Sequence, residues 1–209
     1  SAFNIPSFPS FYRVRYIDLN KDGLMDIVTS SGSNIYYSLN GTVAGSSSLS
    51  FETPVAIPTN EDFVDFAMVD FDNDGNLDII GTSSSGYSIS LGSGLSWGAF
   101  TKQSVSLGNY GRGADLIIRD FDKDNDIDVV IKVSTTGILY LENDGNGDFT
   151  DSTATITRST GLFHGFEFAN MDGDEDGEIL AANGNSSTYI NIFDNTSDSS
   201  GLSFENSSD

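Results

Sequence analysis

Cysteine is absent from this chain of 209 residues, which excludes a disulfide framework, a thiol nucleophile and thiolate metal sites. Basic residues are scarce: 9 lysines and arginines face 31 aspartates and glutamates, a formal charge of −22. Nucleic acid and anionic membrane surfaces are therefore excluded as partners, because both would be repelled. No apolar run reaches the length of a membrane span, so insertion through a helix is excluded too. No leader pattern stands at the start, and any export signal is expected to have been removed. Histidine and tryptophan occur once each, as His164 and Trp97. Amphipathic helical periodicity is missing. Apolar residues alternate instead in short runs separated by Gly, Asn and Ser, which is a β signal.

What is abundant is aspartate, and it is ordered. The stretch Asp70-Phe71-Asp72-Asn73-Asp74-Gly75-Asn76-Leu77-Asp78 places acids at positions 1, 3, 5 and 9 of a nine-residue loop, followed at once by Ile79-Ile80. Such a loop can converge on one hard cation, and calcium suits it because calcium accepts six to eight oxygens in a flexible shell. Gly75 permits the positive φ that folds the loop back, and the carbonyl of Asn76 supplies a further oxygen. An EF-hand starts in a similar way but needs a glutamate at its twelfth position and a helix beyond. Here that position is Gly81 and strand formers follow.

The loop recurs at Asp18-Leu19-Asn20-Lys21-Asp22-Gly23-Leu24-Met25-Asp26 and at Asp120-Phe121-Asp122-Lys123-Asp124-Asn125-Asp126-Ile127-Asp128. A degenerate fourth copy runs Asn170-Met171-Asp172-Gly173-Asp174-Glu175-Asp176-Gly177-Glu178. The starts at 18, 70, 120 and 170 are 52, 50 and 50 residues apart, which is the signature of a repeat architecture. The fourth register follows from the preceding strand. Val14/Tyr16, Phe66/Met68 and Leu116/Ile118 lie four and two residues before each loop, on the face expected to be buried, and Phe166/Phe168 continue the series. The expected metal ligands are therefore Asp18, Asn20, Asp22, Leu24 (through its carbonyl) and Asp26, then Asp70, Asp72, Asp74, Asn76 and Asp78. Asp120, Asp122, Asp124, Asp126 and Asp128 follow, and Asn170, Asp172, Asp174, Asp176 and Glu178 form the weakest set. Roughly three to four calcium ions are expected. Of the 31 acids, 17 lie in these loops, which argues against a merely solvated acidic chain.

Each repeat reads as four strands. In the second they cover about Phe63–Val69, Leu77–Gly81, Tyr87–Leu91 and Gln103–Leu107. Four-stranded units of ~50 residues suggest an all-β fold, a β-propeller of four blades forming a single domain over 1–209. The repeats fall at about 11–62, 63–112, 113–164 and 165–209. Phe3-Asn4-Ile5-Pro6 resembles Val55-Ala56-Ile57-Pro58, so an N-terminal strand at about 2–7 is expected to complete the last blade and close the ring. A closed ring implies a monomer.

With these residues in view, the chain resembles the FG-GAP/VCBS repeat family, known from integrin α subunits and bacterial surface proteins. The nearest match is Asp120 to Asp151, where DFDKDNDIDVV is followed by GILYLENDGNGDFTD. The resemblance implies a calcium-stabilised propeller serving adhesion or ligand binding, although the family commonly builds seven blades. It implies a protein or glycan ligand at a cell surface or in the extracellular matrix. Millimolar extracellular calcium would fill weak sites, which favours a secreted or surface location.

The ligand is expected on the face opposite the calcium loops, where the connections between repeats emerge. These carry Tyr12, Tyr110, Arg112, Phe163 and His164, with aromatics and arginine as the residue types of binding hot spots. The alternative is that such aromatics fill gaps between blades. Asn143-Asp144-Gly145-Asn146-Gly147-Asp148 reads as a plain turn, because no acid stands at the ninth position. Catalysis is not expected. A polysaccharide lyase or hydrolase would need free carboxylates, and nearly every clustered acid is assigned to calcium. A structural spacer without a ligand is the remaining alternative.

Overall fold

A computed structural model describes residues 6–59, 62–83, 86–91, 101–106, 115–133, 137–151, 163–173, 177–183, 190–196 and 204–206. Among these residues all regular structure is β-strand, and no helix is long and apolar enough to cross a membrane. The strands form four antiparallel sheets of four strands each. The first holds β1 (Arg13–Ile17), β2 (Asp26–Ser31), β3 (Asn34–Ser38) and β4 (Val55–Pro58). The second holds β5 (Asp65–Val69), β6 (Asp78–Ser83), β7 (Gly86–Leu91) and β8 (Thr101–Ser106). The third holds β9 (Leu116–Arg119), β10 (Asp128–Val133), β11 (Gly137–Asn143) and β12 (Phe149–Asp151). The fourth holds β13 (Phe163–Ala169), β14 (Glu178–Asn183), β15 (Ile190–Asn195) and β16 (Phe204–Asn206).

Within each sheet the chain meanders from strand to neighbouring strand, and the acidic loop always joins the first strand to the second. That loop closes a hairpin of fixed register: Ile17 pairs with Asp26, Val69 with Asp78, Arg119 with Asp128 and Ala169 with Glu178. The register matters because a slip of one residue would turn every apolar side chain to the opposite face. The stretch after Asn143 is the expected turn. The Asp144 amide donates to the Asp148 carbonyl, and Gly145 and Gly147 take positive φ.

The sheets stack face to face, and the core lies between them. Phe66, Met68 and Ile79 of the second sheet pack on Val28, Ile35 and Ile57 of the first. Leu116, Val129 and Leu141 of the third pack on Ala67, Phe71 and Ile80 of the second. Ile179, Ala181 and Phe193 of the fourth pack on Phe121, Val130 and Tyr140 of the third. The alternation before each loop thus points back at the preceding sheet. The first sheet departs from expectation. Val14 is 53% exposed and Tyr16 79% exposed, because no described sheet precedes theirs.

The fourth sheet takes its outer strand from residues 204–206, which pair with β15 through Phe193, Asp194 and Asn195. Of the N-terminal strand expected at 2–7, residues 2–5 lie outside the described residues. Residues 10 and 12 run beside the first sheet: the Ser31 hydroxyl donates to the Ser10 carbonyl and the Tyr12 amide to the Ser30 carbonyl.

Candidate metal centres and a cavity

Three acidic loops share one backbone path. Their fourth residue is left-handed in each, at Lys21, Asn73 and Lys123 with φ of 58°, 57° and 65°. The sixth is left-handed too, at Gly23, Gly75 and Asn125. Asparagine tolerates this conformation better than most residues, so Asn125 can replace the glycine. The first aspartate holds the turn: Asp18, Asp70 and Asp120 accept the amide of the sixth residue at 2.9, 2.8 and 3.1 Å. The ninth is buried at the root. Asp26 accepts the Leu19 and Asn40 amides, and Asp128 accepts the Phe121 and Asn143 amides.

With the backbone so arranged, carboxylates converge. Asp70, Asp72 and Asp78 each bring an oxygen within 4.8 Å of the others, and so do Asp120, Asp122 and Asp128. Burial raises the carboxyls of Asp72 and Asp122 above the ordinary range, and it pushes Asp128 up to about 6. Asp120 Oδ1 is buried with no hydrogen-bond partner. Carboxylates held close, short of solvent and with an oxygen unsatisfied fit a calcium ion, which would supply the missing charge. In the first loop Asn20 stands at the third position, and its side-chain amide donates to Asp22.

Other expected ligands are spent differently. Asp74 accepts both the amide and the side-chain nitrogen of Asn76, which lowers its carboxyl. Asp124 accepts the Asp126 amide, and Asp126 faces the neighbouring loop, where it accepts from Asn73. In the fourth loop Asp174 and Asp176 lie outside the described residues. Gly173 takes the left-handed fourth position with φ of 89°, and Asn170 accepts its amide. Asp172 and Glu178 meet a third acid, Asp194 of β15.

The first three loops line one rim. Lys21 Nζ donates to the Gly75 carbonyl, and Asn73 donates to the Gly145 carbonyl beside the third loop. A further link was not legible as a motif. The Asn143 side chain donates to the Phe71 carbonyl in the preceding sheet, and Asn195 donates to the Phe121 carbonyl in the same way. Asparagine recurs here as Asn40, Asn143 and Asn195, but at 22, 23 and 25 residues from the loop start, so the repeat period hides it.

Residues of all four sheets border an open cavity of about 650 Å³. Asp65 anchors it. Arg13 and Arg15 of the first sheet reach Asp65 at 2.9 and 2.5 Å, and Arg13 also reaches Asp115 at 2.8 Å. The Leu116 amide donates to Asp65 from the third sheet. Lys132 stands 3.5 Å from Asp115. One wall is therefore a network of guanidinium and carboxylate groups. Ile117, Leu180, Ala182 and Ile190 form apolar parts of the lining, and Glu167 adds a carboxylate. Composition gave no hint of this network, because its residues come from three repeats.

Of the expected ligand-binding residues, Tyr12 is exposed beside the first sheet, and Phe163 and His164 open β13 at the cavity end. Tyr110 and Arg112 lie outside the described residues, as does Trp97.

Comparison with known proteins agrees with the repeat. The FG-GAP-like repeat matches residues 18–81, 70–131 and 120–181. No curated protein matches. Among solved structures, a lectin of Agrocybe aegerita, described for its specific recognition of non-reducing terminal N-acetylglucosamine, superposes with a TM-score of 0.63 at 17% identity. The alignment covers 91% of this chain and 50% of the lectin chain, so the present chain spans about half that protein's length.

Proposed function

Because the chain belongs to the FG-GAP-like repeat family, we propose that its four sheets are blades of a calcium-stabilised β-propeller that binds a glycan outside the cell. The observation that carries the reading is the open cavity bordered by residues of all four sheets. Its apolar lining suits the C–H face of a sugar ring, and its carboxylates and guanidinium groups suit hydroxyls. Arg13 spans from the first sheet to the third, which supports tight curvature around a central axis. The glycan is neutral, since a formal charge of −22 disfavours an anionic one. The lectin likeness supports the fold and makes a saccharide the first class to try. Calcium holds the loops and takes no part in chemistry. The module is not an enzyme: Asp65 and Asp115 are committed to arginine and lysine, and the loop acids to the cation.

The test is an array of neutral glycans probed with the full chain in millimolar calcium. Glu167 lines the cavity and is exposed, so Glu167→Gln is expected to weaken binding at least ~10-fold while leaving stability within ~0.5 kcal/mol. Binding that survives this change and is blocked by altering residues 107–114 would move the site to the connections between blades. Release of reducing sugar from a bound polysaccharide would overturn the non-enzymatic reading.

A further inference from the structure

We propose that Asp172, Glu178 and Asp194 form a cation site of their own composition, selective for calcium, in which Asp194 on the third strand of the sheet is a ligand. One oxygen from each lies within 4.8 Å of the others. Nothing in the nine-residue pattern contains Asp194, which stands sixteen residues beyond Glu178 on another strand.

The comparison with the other loops shows why this site differs. Asp26 and Asp128 spend both carboxylate oxygens on backbone amides, one at each end of the hairpin root. Glu178 keeps only the first of these bonds, from the Met171 amide to Oε2. Its Oε1 is buried without a partner although the residue is only 3% exposed. A buried carboxylate oxygen left unsatisfied is costly, and the extra methylene of glutamate frees that oxygen from the amide its shorter counterparts use. The paired strands place Asp194 where the first two sheets carry Leu39 and Leu91 and the third carries Glu142. An acid thus replaces an apolar residue where Glu178 has an oxygen to spare. Three carboxylates within this span match calcium, whose ligands sit at ~2.3–2.6 Å, better than magnesium with its tighter octahedron.

The inference rests on the proposed calcium chemistry of the other loops, and the experiment separates the two. Calcium bound by the full chain is counted by equilibrium dialysis with radiocalcium. Asp194→Asn is expected to lose one ion per chain while the other loops keep theirs. Glu178→Gln is expected to lose the same ion, because a neutral amide removes the buried carboxylate charge that the cation needs. Amide hydrogen exchange of Ile190–Asn195 should slow on adding calcium to the natural chain but not to D194N. Unchanged stoichiometry and unchanged calcium-dependent protection in D194N would overturn the site and leave the other loops untouched. A natural chain that binds no calcium overturns both readings. If D194N does not fold, E178Q decides by the same count, and full stoichiometry there overturns the proposal.

Discussion

Phe11 and Phe63 occupy the same place in two repeats 52 residues apart, yet Phe11 is 55% exposed and Phe63 only 1%. The ring of Phe63 lies against Gly81, in a space that a Cβ at that position would fill. The register of the first sheet puts Thr29 where the second has Gly81, and Phe11 has no such seat. Phe66 and Met68 are buried against the first sheet, whereas their counterparts Val14 and Tyr16 face outward. The two sheets have the same strand order and the same loop. What differs is whether another sheet stands behind them, so stability in this chain belongs to the junctions between sheets.

The largest expected effect tests that difference directly. Phe66→Ala should lower unfolding free energy by ~3–5 kcal/mol, the range for removing a buried aromatic ring. Val14→Ala, at the same position one repeat earlier, should cost less than ~1 kcal/mol. Urea denaturation of both variants measures the contrast. Equal losses would mean that the outer face of the first sheet is covered in solution.

A smaller effect should follow from the loops. Chelation should lower the melting temperature, because each ion bound only to the folded chain stabilises by ~2.7 kcal/mol at a hundredfold excess over its dissociation constant. Of the first two loops, the first should contribute less, since Asn20 stands where the second loop has Asp72. Asn20→Asp should therefore raise calcium affinity in the first loop, and Asp72→Asn should lower it in the second. Calorimetric titration of the two variants would break the comparison if both moved the same way.

The smallest effect concerns pH. Burial holds the Asp128 carboxyl up to about 6, above the ordinary carboxylate value near 4 of an unfolded chain. A raised folded-state value gives a contribution that is complete below the unfolded value and is lost as pH rises through the folded one. The calcium-free chain should therefore gain ~1 kcal/mol from Asp128 between pH 7 and pH 5. Calcium, which binds the ionised form, should reverse the trend. Melting curves with and without chelator at both pH values would show it, and a chelated chain that loses stability on mild acidification would contradict the buried position of Asp128.

Much of this was written locally. The hairpins, their register and the left-handed sixth position follow from residues within nine of each other, because aspartates, glycine and alternating apolar residues act over one turn and two strands. The turn after Asn143 was legible for the same reason. The exposure of Val14 and Tyr16 was not, since alternation marks a face as apolar but cannot say whether another sheet covers it. The Asp194 contribution was hidden because strand pairing, and not sequence distance, brings β15 beside the loop.

The sequence by itself determined the repeat, the β class and the acidic loops, for these depend on local backbone preference and on side chains a few residues apart. Only the tertiary structure decided which acids meet and which are spent on amides or a neighbouring loop. It also decided that Arg13, Asp65 and Asp115, from three repeats, share one network around a cavity. Charges from separate repeats come within 3 Å of each other only after the sheets have stacked, and that stacking is driven by apolar burial, which carries no information about which charged ends it will bring together.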